Sequence, residues 1–293
     1  MEQWVLGIVG GSGLYDLEDL DEREELSIES PWGEPSDRLV TGKLHGVRLV
    51  FLARHGRGHR LAPGHVNARA NIDALKRAGC TDMLSISAVG SLREDLPPGT
   101  FVTIDQIVDR TVARPGSFFG DGIVAHVSLA DPTCPRLRGF AATAARAAGA
   151  RVADGGPYVA IEGPQFSTRA ESNLYRSWGC SVVGMTAMPE ARLAREAELP
   201  YANVCMVTDY DCWRDRSAEV DVAAALQVMR DNAATARAMI DEIARALPPE
   251  RTPSPIDTCL DVAVVTDPAA WNPALAQKLA GICPRKFADP AAR

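Results

Sequence analysis

Short β-branched runs recur along the chain at residues 4–9, 47–53, 83–89, 101–107, 158–161, 181–185 and 203–208, and they read as strands. Between many of them the apolar positions return with helical spacing, at 66–78, 137–148, 190–197 and 220–247. That spacing predicts amphipathic helices, the last being the longest. Strands alternating with helices predict an α/β fold, a single domain with a central mixed, twisted β-sheet flanked by helices. After Leu247 the stretch PPERTPSP carries four prolines and ends the long helix, because proline removes a backbone donor and disfavours a helical residue before it. Beyond it, 262–266 reads as a short extended piece and 273–279 as a helix. This places the main domain at 1–248 and a C-terminal extension, packed on the same domain, at 249–293.

Composition narrows the class. With 46% hydrophobic and 24% charged residues in 293, the chain has enough apolar surface to fold. A formal charge of −7 gives no global field to draw nucleic acid or an anionic membrane, so neither is expected as a partner and an anionic ligand must be captured locally. The seven cysteines form no CxxC pair, which suits a reducing compartment. The N-terminus MEQWVLGIVGGSG has neither the basic region nor the longer apolar stretch of a signal peptide, and no later run is long enough to span a bilayer. A cytoplasmic location is expected.

Four places carry candidate chemistry. Gly10-Gly11-Ser12-Gly13-Leu14 follows a strand, and its N–H groups with the Ser12 hydroxyl suit an oxyanion; Asp16 and Leu14 stand where a dinucleotide fingerprint and a nucleophile elbow need glycine. Arg54-His55-Gly56-Arg57-Gly58-His59-Arg60 gathers donors into an anion clamp. His55 and His59 have the spacing of a helical zinc pair, but two glycines between them oppose a helix, and no metal is expected. The turn around Phe166 and Ser167 suits a planar base, with Phe166 as a core residue the equal alternative. Close behind come Met185 and Thr186, just before a proline-opened helix. At Thr208-Asp209-Tyr210-Asp211, two carboxylates near a strand end can hold a proton if one is partly buried, or merely cap a turn.

Taken in order, GGSGL, ARHGRGH, SAVGSLRED, PGTFVTIDQIVDRT, IEGPQFSTRAES, GMTAMPEA and TDYDCW resemble the methylthioadenosine phosphorylase branch of the trimeric purine-nucleoside phosphorylase family. The resemblance implies a homotrimer, no metal or organic cofactor, and phosphorolysis of a nucleoside with inorganic phosphate as co-substrate. It places phosphate on Ser12, Arg54, His55, Ser87, Ala88 and Thr186, the purine on Phe166 and Ser167, ribose on Met185, and the adenine edge on Asp209 and Asp211. Asp209 would protonate or hydrogen-bond N7, with Asp211 near the 6-amino group; relatives preferring 6-oxopurines carry asparagine there, because an amide can donate to a carbonyl. His126 of a neighbouring subunit, Val222 and Leu226 would surround the 5′ substituent. An apolar wall favours methylthio over hydroxyl, and a halogen is also small and apolar. Gly64 and Ala68 depart from the histidine and tyrosine usual in relatives. A nucleosidase using water and a non-catalytic nucleoside-binding protein are the rival readings; the anion-binding set argues against the first and the Asp209–Asp211 pair against the second.

Overall fold

The computed structural model describes residues 3–11, 13–14, 20–214 and 222–288, without the side chains of 222–226 and 229. Eleven strands form one mixed sheet: β1 (Val5–Gly10), β2 (Asp21–Leu26), β3 (Leu39–Leu44), β4 (Val47–Ala53), β5 (Asp82–Ser91), β6 (Thr100–Thr103), β7 (Gln106–Asp109), β8 (Arg151–Asp154), β9 (Pro157–Ala160), β10 (Val182–Gly184) and β11 (Tyr201–Asp209). The helices are α1 (Ala68–Arg77), α2 (Pro135–Ala147), α3 (Arg169–Ser177), α4 (Ala187–Glu196), α5 (Val222–Ala246), α6 (Leu260–Ala263), α7 (Pro273–Leu279) and α8 (Pro284–Phe287). Among the described residues, no helix is long and apolar enough to cross a membrane.

The ten-residue β5 organises the sheet. It pairs along its length with β11 in parallel, while its other side pairs first with β1 through Asp82–Ser85 and then, antiparallel, with β10 through Gly90 and Ser91. Between those two neighbours the ladder has a gap at 86–89. Ligands in open α/β sheets settle where strand neighbours diverge, beyond the carboxyl ends, and the gap is such a place. The strands around it are buried almost throughout, and α1 and α4 cover one face while α2 and α5 cover the other.

The structure differs from the sequence reading at definite points. The run 101–107 is two strands, β6 and β7, because the chain turns at Ile104-Asp105, where Asp105 accepts from the Gly156 N–H at 2.9 Å. The piece read as extended at 262–266 begins as the end of α6, and only Val264 bridges to Ala125. The tail feeds Leu260, Leu279, Ile282 and Phe287 into the same core that α1 and α4 cover. Arg251 binds Asp82 at the start of β5 at 2.5 Å and Asp257 at 2.6 Å, fixing the tail beneath the sheet.

Candidate active site

Arg54 is the first residue past β4, and its N–H donates to the Gly10 carbonyl at 2.9 Å, extending the pairing of β1 with β4. This aims its side chain into the gap beside β5. There it is 3% exposed and locked: Nε donates to Glu190 Oε1 at 2.5 Å, Nη2 to Ser85 Oγ at 2.6 Å and the Val9 carbonyl at 3.2 Å, and Nη1 to the Ile86 carbonyl at 3.1 Å. Glu190, on α4, also accepts from Ser85 at 2.8 Å, and Tyr201 and Asn203 continue the network toward Ser87, whose hydroxyl donates to Asn203 Oδ1 at 3.4 Å. A buried charge pair held by this many further hydrogen bonds is rigid.

The rest of an anion cradle surrounds this guanidinium. Ala88 sits mid-strand in β5 yet is exposed, and its backbone groups face the same side as those of Ile86, toward the gap. His55 Nδ1 donates to the Leu61 carbonyl at 2.8 Å and its ring stacks on His59 at 4.3 Å. Burial, reinforced by the Arg54 charge, pushes the His55 pKa down to about 4, so at neutral pH its Nε2 is an acceptor. Thr186 gives its N–H to the Tyr158 hydroxyl at 3.1 Å and keeps a buried hydroxyl without a partner. A Cβ on Gly184 would come within 2.2 Å of that Tyr158 hydroxyl, so only glycine fits there. Met188 has extended backbone (φ −117°, ψ 136°), which separates Thr186 from the helical turn beginning at Pro189; its hydroxyl, rather than a helix N-terminus, is what it offers. Arg54, Arg114, Met185, Thr186 and Glu190 line one cavity, closed by Pro63, Val66 and Ala68.

The carboxylates lie at the end of the neighbouring strand, β11, and in the turn after it. A bulge at Thr208 sets Asp209 opposite Gly90, re-aiming the end of β11 as bulges do. Asp209 Oδ2 accepts from the Thr208 hydroxyl at 2.7 Å and Oδ1 from the Asp211 N–H at 2.8 Å. The chain turns at Asp211, with φ +51°, so the two side chains leave the strand direction instead of lining one face of it. Asp211 is 5% exposed and its Oδ2 has no partner. Burial pushes its pKa up and the neighbouring Asp209 charge adds to this. A Cβ on Gly90 would meet Asp209 and Asp211 at 3.2 Å, so the glycine lets the pair approach β5.

The Phe166–Ser167 turn docks on this corner. The Cys212 thiol donates to the Ser167 carbonyl at 3.1 Å, Arg169 donates to the Cys212 carbonyl at 2.5 Å, and the Trp213 indole donates to the Ser91 carbonyl at 2.8 Å. Phe166 is 61% exposed and the Ser167 hydroxyl is buried without a partner; the alternative of Phe166 as a core residue is therefore wrong. Met185 packs against Gly163, whose Cβ would be 2.5 Å from its sulfur.

The structure thus brings together Arg54, His55, Ser87, Ala88, Met185 and Thr186 on one side, and Ser167, Asp209 and Asp211 on the other. It does not bring His126 to them: that residue is exposed, its N–H held by the Ala263 carbonyl at 2.8 Å. Ser12 and the side chains of Val222 and Leu226 lie outside the described residues. Sequence reasoning missed Glu190, Ser85, Tyr201 and Asn203. Glu190 carried a faint signal, an acid in the first turn after a proline, but nothing in the sequence distinguishes a buried acid there from a solvated one. Among the described residues no cluster of His, Cys, Asp and Glu could hold a metal ion.

Comparison with known proteins gives the family. The model of the phosphorylase superfamily matches residues 5–245. The S-methyl-5′-thioadenosine phosphorylase of Bradyrhizobium diazoefficiens is 54% identical over 97% of this chain and 99% of its own. That of Rhodospirillum rubrum is 52% identical, covering 97% of each. Among solved structures, a methylthioadenosine phosphorylase from an antarctic soil metagenomic library superimposes with a TM-score of 0.92 at 44% identity, over 97% of this chain and 100% of that one. The Schistosoma mansoni methylthioadenosine phosphorylase in complex with adenine gives 0.78 at 38% identity, over 83% and 91%. The chain belongs to the phosphorylase superfamily and, within it, to the S-methyl-5′-thioadenosine phosphorylase family.

Proposed function

We infer that the protein catalyses phosphorolysis of S-methyl-5′-thioadenosine, giving adenine and 5-methylthioribose 1-phosphate. One observation carries this reading beyond the likeness to relatives: an anion cradle at Ser87–Ala88 of β5 and a carboxylate pair that leaves the end of β11 and packs over Gly90 both lie along β5. Two residues of extended chain separate them by about 7 Å, the scale of a nucleoside whose ribose lies between base and phosphate.

In the proposed mechanism inorganic phosphate is the co-substrate and no other group is needed. Arg54, Ser87, the Ala88 backbone, Thr186 and Ser12 hold it, and the neutral His55 Nε2 accepts from the hydroxyl of hydrogen phosphate. Phosphate then waits below the anomeric carbon while the C–N bond breaks through a cation-like sugar, so catalysis is positioning and electrostatics. Phe166 and Ser167 line the purine and Met185 the ribose. Both Asp209 oxygens already accept hydrogen bonds, which suits a carboxylate that also accepts from the 6-amino group. Asp211 has the raised pKa and the unpartnered oxygen, and we assign it the proton given to N7, the reverse of the roles that the family resemblance gives the two carboxylates. His126 of a neighbouring subunit in a homotrimer, with Val222 and Leu226, surrounds the 5′ group. The enzyme works in the cytoplasm.

The test is base release with and without phosphate, adenine from S-methyl-5′-thioadenosine, adenosine and 5′-chloro-5′-deoxyadenosine and hypoxanthine from inosine. Strict phosphate dependence with the methylthio compound preferred is the expected result. Release without phosphate makes the protein a hydrolase, and preference for the chloro compound moves its substrate to halogenated nucleosides.

A further inference from the structure

Two guanidinium groups face the cavity beside Thr186, those of Arg54 and Arg114. Each has five N–H donors in a fixed fork. Arg54 leaves one of them over, since Nη1 meets only the Ile86 carbonyl. Arg114 leaves none. Its Nε donates to Glu162 Oε1 at 2.9 Å, Nη1 to the carbonyls of Met185 at 2.5 Å and Met188 at 2.9 Å, and Nη2 to those of Glu162 at 2.6 Å and Ile161 at 3.3 Å. The side chain is 6% exposed, so water competes little for these bonds.

We propose that Arg114 is a positioning residue: its saturated guanidinium fixes the backbone that presents Met185 and Thr186 to ribose and phosphate, and contacts neither ligand. The carbonyls on Nη1 flank Thr186 and Ala187, while Tyr158 holds the Thr186 N–H from the other side. The carbonyls on Nη2 belong to the turn before Gly163, which packs on Met185 and leads to Phe166 and Ser167. One planar group therefore sets the base-side loop in register with the ribose and phosphate side. Glu162 closes the clasp: its second oxygen accepts from the N–H groups of Val112 at 2.7 Å and Ala113 at 3.3 Å, in the loop that carries Arg114. A lysine keeps the charge but has a single point of donation, and it cannot span five acceptors on four residues of two segments.

The proposal rests on the phosphorolysis reading above, so wild-type kinetics come first, followed by Arg114→Lys and Arg114→Ala with nucleoside and phosphate varied independently. The expected result is a fall in kcat of about 100-fold in both variants, the size of effect a misplacement of about an ångström produces, with the phosphate KM rising by no more than about threefold because only Thr186 among the proposed phosphate donors is displaced. A few millimolar guanidinium ion should restore part of the Arg114→Ala activity, which a general loss of folding would not allow. An Arg114→Lys enzyme near wild-type kcat overturns the proposal, as does a loss confined to the phosphate KM or an Arg114→Ala enzyme that is folded by its thermal midpoint and not rescued. Wild-type protein that releases no adenine with phosphate overturns the reading beneath it, and the proposal with it.

Discussion

Removing the Glu190 carboxylate leaves Arg54 charged where its side chain is 3% exposed and its other described partners are neutral oxygens. Breaking one partner of a buried pair costs about 3–5 kcal/mol, and Glu190→Gln should lose stability of that order in urea unfolding. Its phosphate KM should rise as well, since Arg54 is then free to turn. Asp211 makes a different prediction. Because the proposed mechanism has Asp211 give a proton to N7, the active form is the protonated one, and kcat/KM should fall as pH climbs through a pKa that burial raises above the ordinary aspartate value. Asp211→Asn removes this limb. It should lower kcat on adenine nucleosides by about 100-fold or more, the usual contribution of a general acid, and raise the ratio of inosine to adenosine turnover, because an amide can donate to a 6-oxo group. Asparagine accepts positive φ, so the turn should survive. At this scale the sequence pointed to the groups that the proposed mechanism uses, since Arg54, His55, Thr186, Asp209 and Asp211 stand in dense polar or glycine-flanked clusters after strands. It did not show Glu190 or Arg114, whose work is done by burial and by distant carbonyls that no local pattern reports.

Between elements, the loop that carries Arg114 is tied to α4 by Glu196, which accepts from the Phe118 N–H at 2.7 Å and the Ser117 hydroxyl at 2.8 Å. Burial pushes its pKa up to about 7, against those two bonds and the Arg192 charge. The folded chain thus binds this proton more tightly than the unfolded chain, whose glutamate titrates near 4.5. The stabilising contribution is complete below that lower value and is lost as pH rises to about 7, a change on the order of 3 kcal/mol. Glu196→Gln keeps an acceptor for Phe118 and a partner for Ser117 without titrating. Thermal midpoints at pH 5 and pH 8 should therefore separate the proteins at pH 8, with the variant higher, and an equal pH response in both would refute the assignment. Elements of this kind were readable where their burial was uniform. The buried β4 and the proline-opened α7 fall where apolar runs and helix signals place them. β2, with the sequence DEREEL, and the short β8 were invisible, because an edge strand of charged residues carries no apolar pattern. Nor could the pattern report that β5 changes neighbours halfway along, and that gap is what makes the site.

For the whole molecule, the position of His126 makes the proposed trimer testable. Its segment is zipped to the tail through Ala125 and Val264, and the paired Val124 and Val265 are exposed, the latter 60%. Val262 in the same tail is 90% exposed. Apolar side chains grouped like this on a surface mark a place another chain covers. If a neighbouring subunit receives His126, a variant lacking it and a variant lacking Asp211 are damaged in different parts of a shared site. His126→Ala alone should lower kcat/KM for the methylthio nucleoside by about tenfold, the value of one hydrogen bond and its desolvation. Asp211→Asn alone should be nearly inactive. Co-expressed in equal amounts, the two should form mixed oligomers in which about a quarter of the sites join an intact Asp211 to a neighbour's intact His126, given one copy of each part per interface in a closed ring. Those sites carry wild-type kcat/KM, so the mixture should exceed the mean of the two separate variants several-fold at low substrate. A mixture that equals that mean, with mixed oligomers confirmed by mass, would show that His126 serves no neighbouring site.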